Sequence, residues 1–258
     1  MQSLKERFRE FILAIKGVED VDRLLAHCNL PGMKRADYLA INRLVIIEQK
    51  SLDIDPDYKV PEFFKDHADI DNSIDGDLTA LSHLLRRLPE GTKLGIDLYR
   101  SLTKGLDEIL SHADKQTRDT RKIFLIPEAI GVVVILNDNA PTLEPDIVTI
   151  KAGEMLRKLT ATNEPRYPQN HVVILISEAH RIPSDEAVEL IPTSTVFSDS
   201  GGQTPLATNF AQAFLRRWAE FNGASFTGDP ESWESFKTRD PAKIFKVGGR
   251  NGGLLRDR

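Results

Sequence analysis

A chain of 258 residues with a formal net charge of −5 can bury a large core, and is too acidic overall to be a globally basic nucleic-acid binder. A local basic groove is still allowed. The single cysteine, Cys28, excludes an intramolecular disulfide and a cysteine-based zinc site. The first residues lack the apolar core and small-residue cleavage site of a secretory signal, and the longest apolar runs, GVVVIL and VVILI, are strand-sized. The expectation is a cytoplasmic protein with no membrane partner.

The chain opens with a helical stripe, Phe8, Phe11, Ile12 and Ile15. Gly17 interrupts it. A second helical stripe follows in Val18, Val21, Leu24, Leu25 and Cys28, and Pro31-Gly32 ends it. Tyr38 to Ile41 and Leu44 to Lys50 are rich in β-formers around a turn at Asn42-Arg43, which predicts a hairpin. Residues 51–76 are acidic, contain two prolines and read as an irregular surface insert. A helix is expected from Leu78 to Leu88, then a break over Pro89 to Gly95, then one long helix from Asp97 to Lys122. Its stripe is Leu98, Leu102, Leu106, Ile109 and Ala113.

Gly131 to Leu136 does not alternate, so it reads as a strand buried on both faces, as does His171 to Ser177. Leu143 to Leu159 reads as a helix, Glu189 to Phe197 as a strand and Pro205 to Phe221 as a helix. The order predicts an α/β fold with a mixed central sheet flanked by helices. Residues 1–228 form the expected domain. Residues 229–258 lose periodicity and read as a basic, flexible tail, either solvated or wrapping a phosphate backbone.

The chemistry gathers at the hairpin. Strand alternation puts Leu44, Ile46, Glu48 and Lys50 on one face. Charge at a buried strand end is costly without partners. Pairing about the 42–43 turn sets Asp37 across from Glu48 to within a residue. Two carboxylates and an ammonium then converge. That arrangement suits metal-assisted phosphodiester hydrolysis: Asp37 and Glu48 supply hard oxygen ligands to Mg²⁺, the Gln49 carbonyl adds a third, and Lys50 orients water or stabilises developing charge.

Asp37, ten intervening residues and then Glu48-Gln49-Lys50 behind LVII resemble the PD-(D/E)XK nuclease superfamily of restriction, repair and defence enzymes, with Ala36 in place of the proline. The resemblance covers roughly residues 1 to 138. It implies a restriction-endonuclease-like core, Asp37 and Glu48 as ligands of Mg²⁺ (or Mn²⁺), and Lys50 as the catalytic lysine. It also implies a helix after the catalytic strands with a polar residue facing the site. Gln116 fits that place, leaving Lys115, Arg118 and Lys122 as an outward basic face for nucleic acid. An acid from the first helix often completes such a site; Glu6 and Glu10 on the first helical stretch and Glu19 on the second are the candidates. The third strand implied before the second helix is sought just before Asp37 or within Thr92 to Ile96.

The expected activity is a metal-dependent endonuclease on DNA, with RNA as the other nucleic acid and a protein partner or homodimer compatible with it. The alternative is a non-catalytic nucleic-acid-binding or protein-interaction subunit on the same fold. Other groups read as structural. Asn137-Asp138-Asn139 suits loop capping. Glu178 and His180 lack a third metal ligand. GGQT at Gly201 to Thr204 is no phosphate-loop signature, and Trp218 and Trp233 suit packing.

Overall fold

The computed structural model describes residues 2–28, 31–65, 85, 90–181, 191–224 and 226. The first helix, α1 (Leu4–Ala14), starts where its sequence says it should. The Ser3 hydroxyl accepts from the Glu6 amide and the Glu6 carboxylate accepts from the Ser3 amide, closing a capping box. Leu4, Phe8, Phe11 and Ile12 form its buried stripe.

Next come β1 (Glu19–Asp20), α2 (Val21–Leu24), β2 (Tyr38–Ala40) and β3 (Val45–Ser51). A 3₁₀ turn at Pro56–Tyr58 leads to α3 (Lys59–Phe64), α4 (Gly91–Leu102) and α5 (Lys104–Phe124). The remainder is β4 (Ile130–Asn137), α6 (Pro145–Leu156), β5 (Asn170–Ser177), β6 (Thr193–Phe197), α7 (Asp199–Gly202) and α8 (Pro205–Phe221).

The sheet has six strands in sequence order. Strands β1, β2 and β3 are antiparallel neighbours, β3, β4 and β5 run parallel, and β6 returns antiparallel to β5. Parallel neighbours need crossovers, and the helices between β3 and β4 and between β4 and β5 supply them. Both faces are therefore covered. Val132, Val134 and Leu136 of β4 pack with Val172, Ile174 and Ile176 of β5 under α1 and α8. Val133, Ile135, Val173 and Leu175 face α3 to α6. This is the expected α/β fold with a mixed sheet between helices. No helix among the described residues is long and apolar enough to cross a membrane.

Several expectations need correction. The helix expected over Val18 to Cys28 is mostly absent. Asp20 caps α2 by accepting from the Arg23 amide, so helix cannot extend upstream, and Glu19 and Asp20 pair with Leu39 and Tyr38 instead. This two-residue strand is the third strand before α5, in neither place the sequence suggested. The long helix over Asp97 to Lys122 is two helices. Thr103 divides them, its hydroxyl donating to the Tyr99 carbonyl at 2.7 Å. The expected break before it is helical from Gly91, with Gly91 and Gly95 buried on the inner side of α4. The acidic insert is not irregular throughout, because α3 sinks Val60 and Phe64 into the core. The helix at Leu78 to Leu88, the basic tail and Trp233 lie outside the described residues, apart from buried Leu85.

One glycine locks α5 to the sheet. A Cβ on Gly131 would overlap the Gln169 carbonyl oxygen and stand 2.8 Å from Thr117 Cγ2. Gly131→Ala should destabilise the protein by about 3 kcal/mol, the upper end for overpacking, because a backbone atom cannot turn aside as a side chain does. Urea denaturation would read this. An unchanged midpoint would mean that the Gln169 backbone before β5 is free to shift.

Candidate functional site

The hairpin forms as its sequence predicts. Asn42 and Arg43 both have positive φ, and the Leu44 amide donates to the Ile41 carbonyl at 3.0 Å, as a tight right-twisting turn requires. Tyr38 pairs with Ile47, Leu39 with Ile46 and Ala40 with Val45. Continued by one residue, that register sets Asp37 opposite Glu48. The Asp37 Oδ2 accepts from the Gln49 amide at 2.7 Å. A residue's amide and carbonyl leave an extended strand on the same edge, so the Gln49 carbonyl also faces the Asp37 side.

Ile46 is buried beneath the end of α5, so Glu48 and Lys50 on the same face point toward α5 as well. Lys50 Nζ lies 2.6 Å from Glu48 Oε1 and donates to Gln116 Oε1 at 2.8 Å. Gln116 Nε2 donates to the Arg35 carbonyl at 2.9 Å. The sequence-predicted residues Asp37, Glu48, Gln49, Lys50 and Gln116 are thus brought together. The stripe of α5 is Leu106, Leu110, Ala113 and Thr117, one residue round from the expected line through Ile109. Gln116 sits half-buried on its shoulder, where a polar group can reach the strand end.

The electrostatics are those of a cation-seeking site. Glu48 is 1% exposed. Burial pushes its carboxyl up to about 8, and the Asp37 charge adds to this, while Lys50 and Gln116 oppose it. Burial also raises Asp37, against the Gln49 amide and the charges of Lys50 and Lys5. Glu48 Oε2 is buried with no hydrogen-bond partner. Such an atom is costly as it stands. No cluster of three or more acidic, histidine or cysteine side chains is poised for a metal among the described residues. Two carboxylates, one of them with an unpartnered buried oxygen, and a backbone carbonyl still fit Mg²⁺, which is commonly held by one or two carboxylates and keeps several waters.

Asp37, Gln49 and Lys50 line a cleft of about 700 Å³. Its other wall carries Lys5, Glu6 and Arg9 of α1 with Asp20, Asp22 and Arg23. Of the candidate N-terminal acids, Glu6 of α1 borders the cleft but serves the capping box, Glu10 of α1 accepts from the Gln2 side chain, and Glu19, expected on the second helical segment and found in β1, is paired with Arg43 at 2.7 Å. Asp20 and Asp22 also line the cleft, and the Asp22 charge helps raise Asp37. Sequence reading missed both, because they sit in a segment that looks helical. Lys115, Arg118 and Lys122 are exposed on α5, and none of them lines this cleft.

The structural readings of the other groups agree with their contacts. Asn137 is buried, donating to the Ala140 and Leu143 carbonyls and accepting from the Ala140 amide. Glu178 pairs with Arg7 and Arg181, while His180 bonds to Ser177 Oγ and the Pro141 carbonyl. Thr204 stands at the N-cap position of α8 with its hydroxyl donating to the Ser200 carbonyl, and Trp218 packs in an aromatic cluster with Phe8 and Phe11. Compared with protein-family models, with curated proteins and with solved structures, the chain matches nothing.

Proposed function

We infer that the chain is a divalent-metal-dependent nuclease that hydrolyses phosphodiester bonds, with DNA as the first substrate to test. One observation carries the reading: a fully buried Glu48 with an unpartnered oxygen, opposite Asp37 and beside a Lys50 held by Gln116. The order α1, three antiparallel strands, α5 and the parallel β4 supports the resemblance to PD-(D/E)XK nucleases and their restriction-endonuclease-like core. So does the inward glutamine on α5. A defence or repair setting is compatible with that resemblance.

Asp37, Glu48 and the Gln49 carbonyl would hold Mg²⁺ or Mn²⁺. When bound, such an ion supplies a water of lowered pKa and neutralises phosphoryl charge. Lys50 orients the attacking water or stabilises charge building on the phosphoryl oxygens. Gln116 fixes Lys50 by accepting a hydrogen bond from one of its three N–H groups and is itself fixed by donating to the Arg35 carbonyl.

The test is cleavage of plasmid DNA, single-stranded DNA and RNA in Mg²⁺, Mn²⁺ or EDTA, beside Asp37→Ala and Lys50→Ala. Metal-dependent cleavage lost in both variants is expected. Activity retained by pure Lys50→Ala sinks the assignment. Gln116→Ala should keep the fold and slow cleavage about 10- to 100-fold, the usual effect of removing a group that orients a site residue. An unchanged rate would make Gln116 a packing residue only.

The 2.6 Å Lys50–Glu48 ion pair favours one other reading, a non-catalytic nucleic-acid-binding module with a structural strand end. Such a module binds nucleic acid with strong salt dependence and is indifferent to Mg²⁺.

A further inference from the structure

We propose that the site takes a single nucleic-acid strand, held by Lys5 and Arg9 of α1 with Arg23 across the cleft from Lys50, and not by the basic face of α5. This rests on the nuclease reading for its chemistry, but its own content is where the phosphates lie.

The cleft gives the first argument. About 700 Å³ is the size of a small-ligand pocket and suits a nucleotide or two of one strand. Asp37 lines the cleft, with buried Glu48 opposite it in the hairpin register, so a phosphate must enter the cleft to reach the carboxylates. A lone strand has a flexible, accessible backbone and can dip in. A duplex carries its phosphates on a stiff cylinder that rests on the rim.

Charge gives the second. Lys5 and Arg9 stand four residues apart on α1, so both project from one face of the helix, over the cleft. Lys5 makes no ion pair among the described residues, and its charge favours the ionised form of Asp37, which places it within electrostatic reach of the site. Arg9 is 61% exposed, with its nearest carboxylate, Asp20, at 3.9 Å. Arg23 is 73% exposed and lies 3.7 Å from the same group.

The acids of this wall are already engaged. Glu6 accepts from Ser3, Asp20 caps α2, and Asp22 pairs with Arg35 at 2.7 Å. Lys5, Arg9 and Arg23 are the charged side chains of this wall that can donate to a phosphate, with Arg9 and Arg23 sharing Asp20 and with Asp53 also lining the cleft. Lys115, Arg118 and Lys122 lie outside the cleft, so a strand bound there would miss Asp37.

Binding can be measured without chemistry. Fluorescence anisotropy of a short labelled single-stranded oligonucleotide would be followed in EDTA over a salt titration. The wild type, Lys5→Ala/Arg9→Ala and Lys115→Ala/Arg118→Ala/Lys122→Ala would be compared, each checked for its helical signal. Losing two phosphate contacts should lower the slope of log K against log salt by about 1.4, with at least a tenfold loss of affinity at low salt. The α5 triple variant should change affinity less than twofold. Lys5→Glu, at a position with no ion-pair partner among the described residues, should weaken binding at least as much as Lys5→Ala.

The reverse order of effects, tighter binding to the matching duplex, or no binding to either form overturns the proposal. Cleavage is scored separately. A strand that binds through Lys5 and Arg9 but is never cut in any metal upholds the path and sinks the nuclease reading alone.

Discussion

Glu48→Gln is expected to reduce metal-dependent cleavage by about a thousandfold, in line with the loss of a group that organises charge in a buried site. The same substitution should make the metal-free protein more stable than wild type at pH 8. The sign follows from the direction of the shift. Glu48 titrates at about 8 in the folded chain against an ordinary 4.5. Its contribution is fully present below 4.5 and is lost as pH rises through 8, because the unfolded chain releases that proton first. Wild-type stability therefore falls by up to about 1.4 kcal/mol per pH unit across this window.

The amide introduced by Glu48→Gln carries no such slope and still offers an oxygen to Lys50. The gap between the two melting temperatures should open steadily from pH 5 to pH 8. Mg²⁺ should close it by raising the wild type alone, since a ligand stabilises only the state that binds it. A purely structural ion pair predicts the opposite on every axis. Glu48→Gln would then melt lower at all pH values, and Mg²⁺ would move neither protein.

What the sequence made legible was local and periodic. The hairpin was readable because Asn42-Arg43 sits between two β-forming runs, and its register then placed Asp37 against Glu48 with no tertiary knowledge. The strands β4 and β5 were readable because burial on both faces leaves an unbroken apolar run. The boundaries of α8 were readable from Pro205 and the stripe that follows it. The misses share a cause, in that each is decided by a partner distant in sequence. Two residues at Glu19 and Asp20 carry no period, and only the edge of β2 makes them a strand. Thr103 is an ordinary helix residue until α4 and α5 must turn to follow the sheet. Lys5 and Arg9 look like the solvated side of an amphipathic helix, and they become a cleft wall only because the far side of α1 is pinned by aromatic rings.

That pinning carries the largest stability effect expected here. Phe11 is buried, and its ring meets Trp218 at 5.1 Å and Phe214 at 5.3 Å, both near edge-to-face, with Phe221 at 5.5 Å. Phe8 touches the same cluster, so α1 is held to α8 chiefly through aromatic area. Phe11→Ala should cost about 3–5 kcal/mol in urea denaturation, the range for a buried ring whose cavity cannot close. The residue lies on the helix side that faces away from the cleft, yet single-strand affinity should fall with it. A loosened α1 no longer holds Lys5 and Arg9 opposite Lys50, while β2, β3 and α5 keep Asp37, Glu48 and Gln116 in place. Cleavage at saturating strand should then survive better than affinity in the variant that remains folded. A loss of only about 1 kcal/mol would mean that α1 is a lightly held flap, and equal losses in affinity and turnover would mean that α1 also shapes the carboxylate site itself.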